Sequence, residues 1–452
     1  MKALDDRRFR LGFAVVALFT VLAGDAWRYS LSWYGFGVIA IVLSVIGVLL
    51  LVRNRDSWRI SRLPYPLLAF LALATVSVAW SFYPGATLLG LFVTYLTVII
   101  GLTLAVILSW HDVLLVLGRT LRIIIGLSLL FELVVSVILR SPLLPFWPSP
   151  GIDYSNLPDK IPKLLFWSRN ELFVDGGKIQ GIVGNSSLLA QAALLGLIVF
   201  GIQLAARSVG RAGWVWLAVA LVAIGLTRSA TIFLAIAALL VVTLAVVLVR
   251  RARTPRERAG TYGGIVAVVV VLVAGAIASQ RVILSLLGKN SELTGRTEIW
   301  QHVIHTWLER PAFGWGWISY WVPWAYPFTD KKLLYVEAGG VQVLHAHDAW
   351  LDVLFQLGVV GLVVFAALVL STLWRSWQLA VDRSFTGPKD SGSYSWLSLL
   401  PLLVLVAQLI QSIAESRILV EGGWLLLILW AVKTKWDRSV PELLEGRPRR
   451  AG

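Results

Sequence analysis

Apolar residues fall in long blocks along this chain, divided by short polar connectors. A membrane-crossing helix needs about 20 mostly apolar residues. Twelve stretches meet or approach that: 11–27, 31–52, 63–81, 88–109, 123–139, 187–206, 213–227, 230–249, 262–284, 349–374, 395–413 and 418–432. Residues 213–227 and 230–249 meet at Thr227-Arg228-Ser229, and one helix through both would run 37 residues. At about 1.5 Å per residue that is too long for one crossing, so the pair predicts a tight hairpin. The stretch 11–27 reads as a retained span, because Asp25 and Trp27 make a poor leader-cleavage site around Ala23.

The polar intervals set the organisation. Residues 1–284 hold spans 1–9, with an outer loop at 141–186 that is rich in Pro, Asp and Lys. Residues 285–347 form a larger outer loop, 348–434 hold spans 10–12, and 435–452 form a basic cytoplasmic tail. Long loops of this kind are usually functional or disordered. The second carries Trp300, Trp307, Trp315, Trp317, Trp321 and Trp324, which argues against disorder. Thr294-Gly295-Arg296-Thr297 opens a helical stretch that Pro311 ends, and Phe313-Gly314-Trp315-Gly316-Trp317 marks a turn. The expected fold is an all-α polytopic membrane protein with about 12 transmembrane helices and a long helical extracytoplasmic loop. No internal repeat and no broken helix at mid-membrane is visible.

Composition agrees. Hydrophobic residues are 58% and charged residues 14%, against about 25% charged in soluble proteins. A large soluble enzyme and a disordered chain are both excluded. The absence of cysteine removes disulfide frameworks, thiolate metal sites and Cys nucleophiles. The net charge of +15 suggests nucleic acid at first sight. With the N-terminus inside, however, 26 of the 40 Lys and Arg residues fall in cytoplasmic segments. That is the positive-inside bias of a membrane protein, so no nucleic-acid partner is expected.

Candidate chemistry lies on the outer side. Arg228 sits at the mouth of the 213–249 hairpin, where an Arg is costly unless it meets an anion or solvated cavity. The alternative is an Arg that reaches the interface to fix topology. Arg296 follows Gly295 at a helix start, where backbone N–H groups already favour anions and a guanidinium adds a bidentate phosphate contact. Local pairing with Glu292 or Glu298 is its bland alternative. His347, in Leu344-His345-Ala346-His347-Asp348, is suited to take a proton from a hydroxyl near neutral pH. Four of the five histidines fall within 302–347. His302 and His305 with Glu298, joined by His345, His347 and Asp348, form a rival metal set, but HxxH is not the HExxH pattern. No metal and no cofactor are expected. Most loop tryptophans read as packing or interfacial residues, with one or two near a glycan.

Together these residues resemble the O-antigen ligase and O-antigen polymerase superfamily of membrane glycosyltransferases. The pattern runs through Thr294-Gly295-Arg296-Thr297-Glu298-Ile299-Trp300, Arg310-Pro311 and Gly314-Trp315-Gly316. It closes at His345-Ala346-His347-Asp348 and Leu357-Gly358-Val359-Val360-Gly361-Leu362, with Arg228-Ser229 and Gly181-Ile182-Val183-Gly184-Asn185-Ser186 upstream. The chain has Asp348 where the family commonly has Asn after the His, and Ser186-Ser187 where many members have Pro-Asn.

The resemblance implies transfer of a glycan from a polyprenyl pyrophosphate donor to an acceptor hydroxyl at the outer face of the bacterial cytoplasmic membrane. Arg228, Arg296 and His347 are the expected catalytic residues, and Asn185, Trp300, His345 and Asp348 the expected substrate-binding residues. The implied partners are the lipid-linked glycan donor, a glycan or lipid acceptor, and the membrane. Direct displacement without a metal would invert the anomeric centre. A polymerase using a second lipid-linked glycan, and a non-enzymatic transporter of lipid-linked sugars, are the alternatives.

Overall fold

A computed structural model describes residues 2–148, 152, 154, 157, 161–278, 296–338, 341–382 and 394–436. The chain begins with α1 (Arg7–Leu22), α2 (Gly24–Arg53), α3 (Tyr65–Val76), α4 (Pro84–Ile107) and α5 (Trp110–Val134). After the first long loop come α6 (Ser186–Ala205), α7 (Ala212–Thr227), α8 (Ala230–Arg251) and α9 (Pro255–Ala278). The second loop carries α10 (Arg296–Leu308), and the chain continues through α11 (Ala349–Val381), α12 (Leu400–Ser412) and α13 (Glu421–Trp436). The strands among the described residues are a two-residue antiparallel pair, β1 (Glu337–Ala338) and β2 (Val341–Gln342), with Glu337 opposite Gln342.

The architecture is all-α and polytopic. Among the described residues, six helices are long and apolar enough to cross a membrane: α2, α4, α5 extended to Leu139, α6, α8 and α11. Arg55–Arg62 and Tyr65–Ala79, bent by 74°, would add a seventh if they form one span. The shorter apolar helices Ala212–Thr227 and Trp396–Ser412 cover two more of the expected stretches. Residues 279–284 of the ninth stretch, 285–295 of the second loop and 437–452 of the tail lie outside the described residues.

The first stretch ends earlier than its hydropathy suggests: α1 stops at Leu22, and α2 begins at Gly24. The expected tight hairpin is corrected: the chain turns at Arg228, left-handed at φ 48°, but α7 then packs on α6 and α8 on α12 rather than on each other.

α13 is the central helix. From Trp424 to Val432 every side chain is buried, and it packs on α4, α11 and α1. A helix apolar all round is stable only inside a bundle. The basic residues read as cytoplasmic gather at one end. There Arg7 meets Asp112 at 2.6 Å, Arg53 meets Asp5 at 2.8 Å, Arg258 meets Asp382 at 2.5 Å, and Lys433 Nζ donates to the Leu108 carbonyl.

The expectation of unbroken helices is corrected at α11. Gly358 stands at φ 66°, ψ −165° and interrupts the helix. Backbone groups freed by a break in a membrane helix need protein partners, and the loop supplies them. Val359 and Val360 donate to the carbonyls of Pro311 and Ala312, while Trp315 and Gly316 donate to those of Phe355 and Gln356. The sequence segments Arg310–Gly316 and Leu357–Gly361 are thus two halves of one backbone-paired joint. A Cβ at Gly358 would lie 2.2 Å from the Ala312 oxygen, and that backbone conformation is essentially reserved for glycine. Gly358→Ala is therefore expected to cost about 1–3 kcal/mol, read as a lowered unfolding midpoint in detergent.

The same helix holds the loop further along. Gln356 Oε1 accepts from the amides of Ile318 and Ser319, and Trp317 Nε1 donates to Thr94 Oγ1 in α4. Trp315, Trp317 and Trp321 are fully buried by this arrangement, as the packing reading expected, whereas Trp324 is exposed.

Candidate active site

The site is built around Asp352, one turn into α11. Its carboxylate accepts from Trp321 Nε1 at 2.9 Å, from the Ala346 amide at 3.0 Å and from Ser416 Oγ. One buried side chain thereby fixes the tryptophan loop, the turn that carries the histidines, and the segment between α12 and α13. Asp348 caps α11 by accepting from the amides of Trp350 and Leu351. Burial raises its carboxyl pKa, against the pull of those two amides.

This frame brings two histidines to one carboxylate. His347 Nδ1 lies 3.3 Å from Glu415 Oε2, and His345 Nε2 lies 3.9 Å from the same oxygen. The two rings are 4.0 Å apart, and His345 Nδ1 accepts from the His347 amide. Arg296, at the first position of α10, approaches Glu415 Oε1 at 3.8 Å. Its partner is therefore Glu415 from the far end of the chain, not Glu298; Glu292 lies outside the described residues.

Burial opposes ionisation of Glu415. The hydrogen bond that His347 donates and the Arg417 guanidinium prevail, and the carboxyl is pulled down to about 2. Burial pushes His345 well below the usual imidazole range, with His347 adding to the effect and Glu415 opposing it. His345 is therefore neutral at pH 7.

A second charged group adjoins the first. Arg417 Nη1 pairs with Glu421 Oε2 at 3.2 Å, Glu421 also takes Arg28 from α2, and Arg28 returns to Asp25 at 2.7 Å. His347, Arg228 and Glu421 all carry positive φ without being glycine. Such conformations cost about 1–3 kcal/mol each and cluster at functional sites.

The expected residues are thus distributed as follows. Arg296, His345 and His347 converge on Glu415. Trp300, half-buried, donates its indole N–H to the Ala346 carbonyl at 3.0 Å and so braces the histidine turn. Asn185 caps α6, its Oδ1 accepting from the amides of Ser187 and Leu188. Arg228 is exposed at the same end of the bundle and lies 3.9 Å from Asp175 of the first long loop. That loop is pinned beside it, because the Ile179 amide donates to the Leu226 carbonyl and Glu132 accepts from the amides of Gln180 and Gly181. The structure does not bring His302 and His305 to the other histidines. His302 Nδ1 is engaged with the Leu333 carbonyl at 2.6 Å, and His305 is exposed. Among the described residues the group able to hold a metal is instead His345, His347 and Glu415, with ligand atoms within 4.8 Å of one another.

Glu415, Arg417, Glu421 and Arg28 escaped the sequence reading. The signal was present: Glu415-Ser416-Arg417 and Glu421 interrupt two apolar stretches, and ionisable residues in such positions are functional candidates by default.

A helical membrane bundle with cations, histidines and a carboxylate gathered at one end defines a membrane-embedded protein with a polar site beside the lipid. Comparison with protein families matches residues 215–366 to the family described as O-Antigen ligase. The Exopolysaccharide production protein ExoQ of Rhizobium meliloti (strain 1021) is 29% identical over 118 residues, which span 26% of this chain and 26% of that protein. The chain is similar to the O-antigen ligase superfamily of membrane glycan-processing enzymes. The matched segment runs from α7 into α11 and stops before Glu415.

Proposed function

We propose that this protein is a glycosyltransferase of the bacterial cytoplasmic membrane, moving a glycan from a polyprenyl diphosphate to an acceptor hydroxyl at the outer face. The observation that carries the reading is the convergence of Arg296 and His347 on Glu415 at the helix ends. Arg296 offers a guanidinium to the diphosphate, and Arg228 at the same end is the second cation for it. With Nδ1 turned to Glu415, His347 keeps its Nε2 lone pair for the acceptor hydroxyl. The acceptor oxygen attacks the anomeric carbon as its proton passes to His347. The bond from that carbon to the diphosphate oxygen breaks, and the leaving charge settles between the arginines. Attack opposite the leaving group inverts the centre.

Glu415 is then a positioning residue, holding the imidazole tautomer and occupying the cations until diphosphate arrives. Glu415→Gln is expected to lower kcat roughly 10²-fold, at the lower end of general acid–base effects. It should also alter stability with a defined sign. The carboxyl sits near 2 in the folded protein, below its unfolded value near 4.5. The parent's added stability over the variant is therefore complete above about pH 5 and shrinks as pH falls toward 2. Unfolding midpoints of both proteins across that range measure it.

The test of function is incubation of purified protein with polyprenyl-diphosphate-linked glycan and candidate acceptors, with and without chelator. Product separates an enzyme from a transporter, and product length separates ligation from polymerisation. Loss of product with chelator, restored by zinc, would assign His345, His347 and Glu415 to a metal instead.

A further inference from the structure

A pocket at the other end of the bundle takes no part in the proposed chemistry. It opens where the segment 55–65, the junction of α4 with α5, and the end of α13 meet. That is the far end of α13 from Glu421, on the side where the basic residues gather. Its volume is about 690 Å³, within the roughly 300–1,000 Å³ of small-molecule pockets.

Arg62, Lys433 and Lys435 bring three cations to its wall, Ser57, Ser61 and Ser109 bring hydroxyls, and the last turn of α4 is its apolar side. No carboxylate is among the described residues that line it. Ser109 donates its hydroxyl to Asp112 Oδ2, but that carboxylate is matched by Arg7 at 2.6 Å.

The lysines are built into the wall. Lys433 is 3% exposed, and its Nζ donates to the Leu108 carbonyl at 2.8 Å and lies over the Trp110 ring. Lys435 Nζ donates to the Leu63 carbonyl at 2.6 Å and lies over the Tyr65 ring. Trp436 donates its indole N–H to the Arg62 carbonyl, which ties the 55–65 segment to α13. Basic residues that only set topology extend their charge into water. Lys433 does the opposite and turns inward, beside a space that two further cations share. Like charges around one cavity repel, and an anion inside it relieves that repulsion.

We infer that this pocket binds a phosphate group, with Arg62, Lys433 and Lys435 on its oxygens and the hydroxyls of Ser57 and Ser61 donating beside them. Guanidinium, ammonium and hydroxyl groups are all donors to phosphate oxygens. Basic pockets between helix ends take the headgroups of anionic phospholipids, and the apolar side supplied by α4 suits a phosphate that carries acyl chains. Free phosphate shares the same chemistry. The inference lies beyond the proposed function and does not rest on it.

Calorimetric titration of the full-length purified protein in a nonionic detergent tests it with two probes, a short-chain phosphatidylglycerol and inorganic phosphate. Arg62→Gln and Lys435→Gln are each expected to weaken binding about tenfold, the loss of one charge-assisted hydrogen bond. Arg8, an exposed cation outside the pocket lining, is the control, and Arg8→Gln should bind like the parent. This pattern with phosphatidylglycerol alone assigns the site to a lipid headgroup, and the same pattern with inorganic phosphate assigns it to the phosphate group itself.

Removing Lys433 also changes packing, so its readout is the rise in unfolding midpoint that the bound probe gives. That rise should be present in the parent and lost in Lys433→Met. Folded Arg62→Gln and Lys435→Gln proteins that bind like the parent would overturn the inference. So would equal weakening by Arg8→Gln, or a parent that binds neither probe. Arg296-dependent transfer is read at the opposite end of the bundle, so failure here leaves the proposed function standing.

Discussion

Purified Arg296→Ala protein is expected to transfer glycan about 10²–10³-fold more slowly than the parent at saturating substrate, the usual cost of removing one preorganised electrostatic donor. The size follows from the setting. The Arg296 side chain is 17% exposed and faces a carboxylate that is 13% exposed, so water screens it little. In the proposed reaction charge grows on the diphosphate as its bond to the sugar breaks, and a cation fixed in advance stabilises that state more than the bound substrate. The loss should therefore fall mainly on kcat. Lysine at 296 should recover only part of it, because a point charge lacks the two-pronged contact of a guanidinium. Transfer by Arg296→Ala at the parental kcat would remove this residue from the reaction.

Asp352→Ala is expected to destabilise the protein by roughly 3–5 kcal/mol, because three buried donors lose their acceptor together. Trp321 Nε1, the Ala346 amide and Ser416 Oγ belong to three separate segments. Their common anchor holds His347 and Glu415 in register. Unfolding in detergent should show a lowered midpoint. In the folded fraction kcat should fall while diphosphate binding through Arg296 changes little, since Arg296 enters from α10. Asp352→Asn, which keeps one acceptor oxygen, should recover part of both properties. An Asp352→Ala protein with parental stability would show that these donors find other partners.

The helical, membrane-embedded character was legible because it depends on local hydropathy alone. The turn at Arg228 was legible for the same reason, since no single crossing accommodates the apolar run around it. Arg296 and His347 were legible from local motifs. What joins them was not. Glu415 lies 119 positions after Arg296 in the sequence, and nothing local to either residue announces the other. The break in α11 was hidden because Gly358 sits in an apolar run that reads as continuous helix, and its partners lie more than 40 residues earlier. The spacing of His302 and His305 suggested a ligand face, but His302 turns to the Leu333 carbonyl, a tertiary contact that helical spacing does not encode. Asn185 and Asp348 were singled out as ligands of substrate, and both oxygens serve helix caps.

The joint between Pro311–Gly316 and α11 bears on how such proteins can be recombined. A chimera that imports the outer loop from a relative but keeps the resident eleventh helix would match donors from one parent to acceptors from another across a broken helix. Crossovers placed before residue 296 and after residue 361 carry the joint intact, and the contacts that then cross between parents are Trp317 with Thr94, Asp352 with Ser416, and Arg296 and His347 with Glu415.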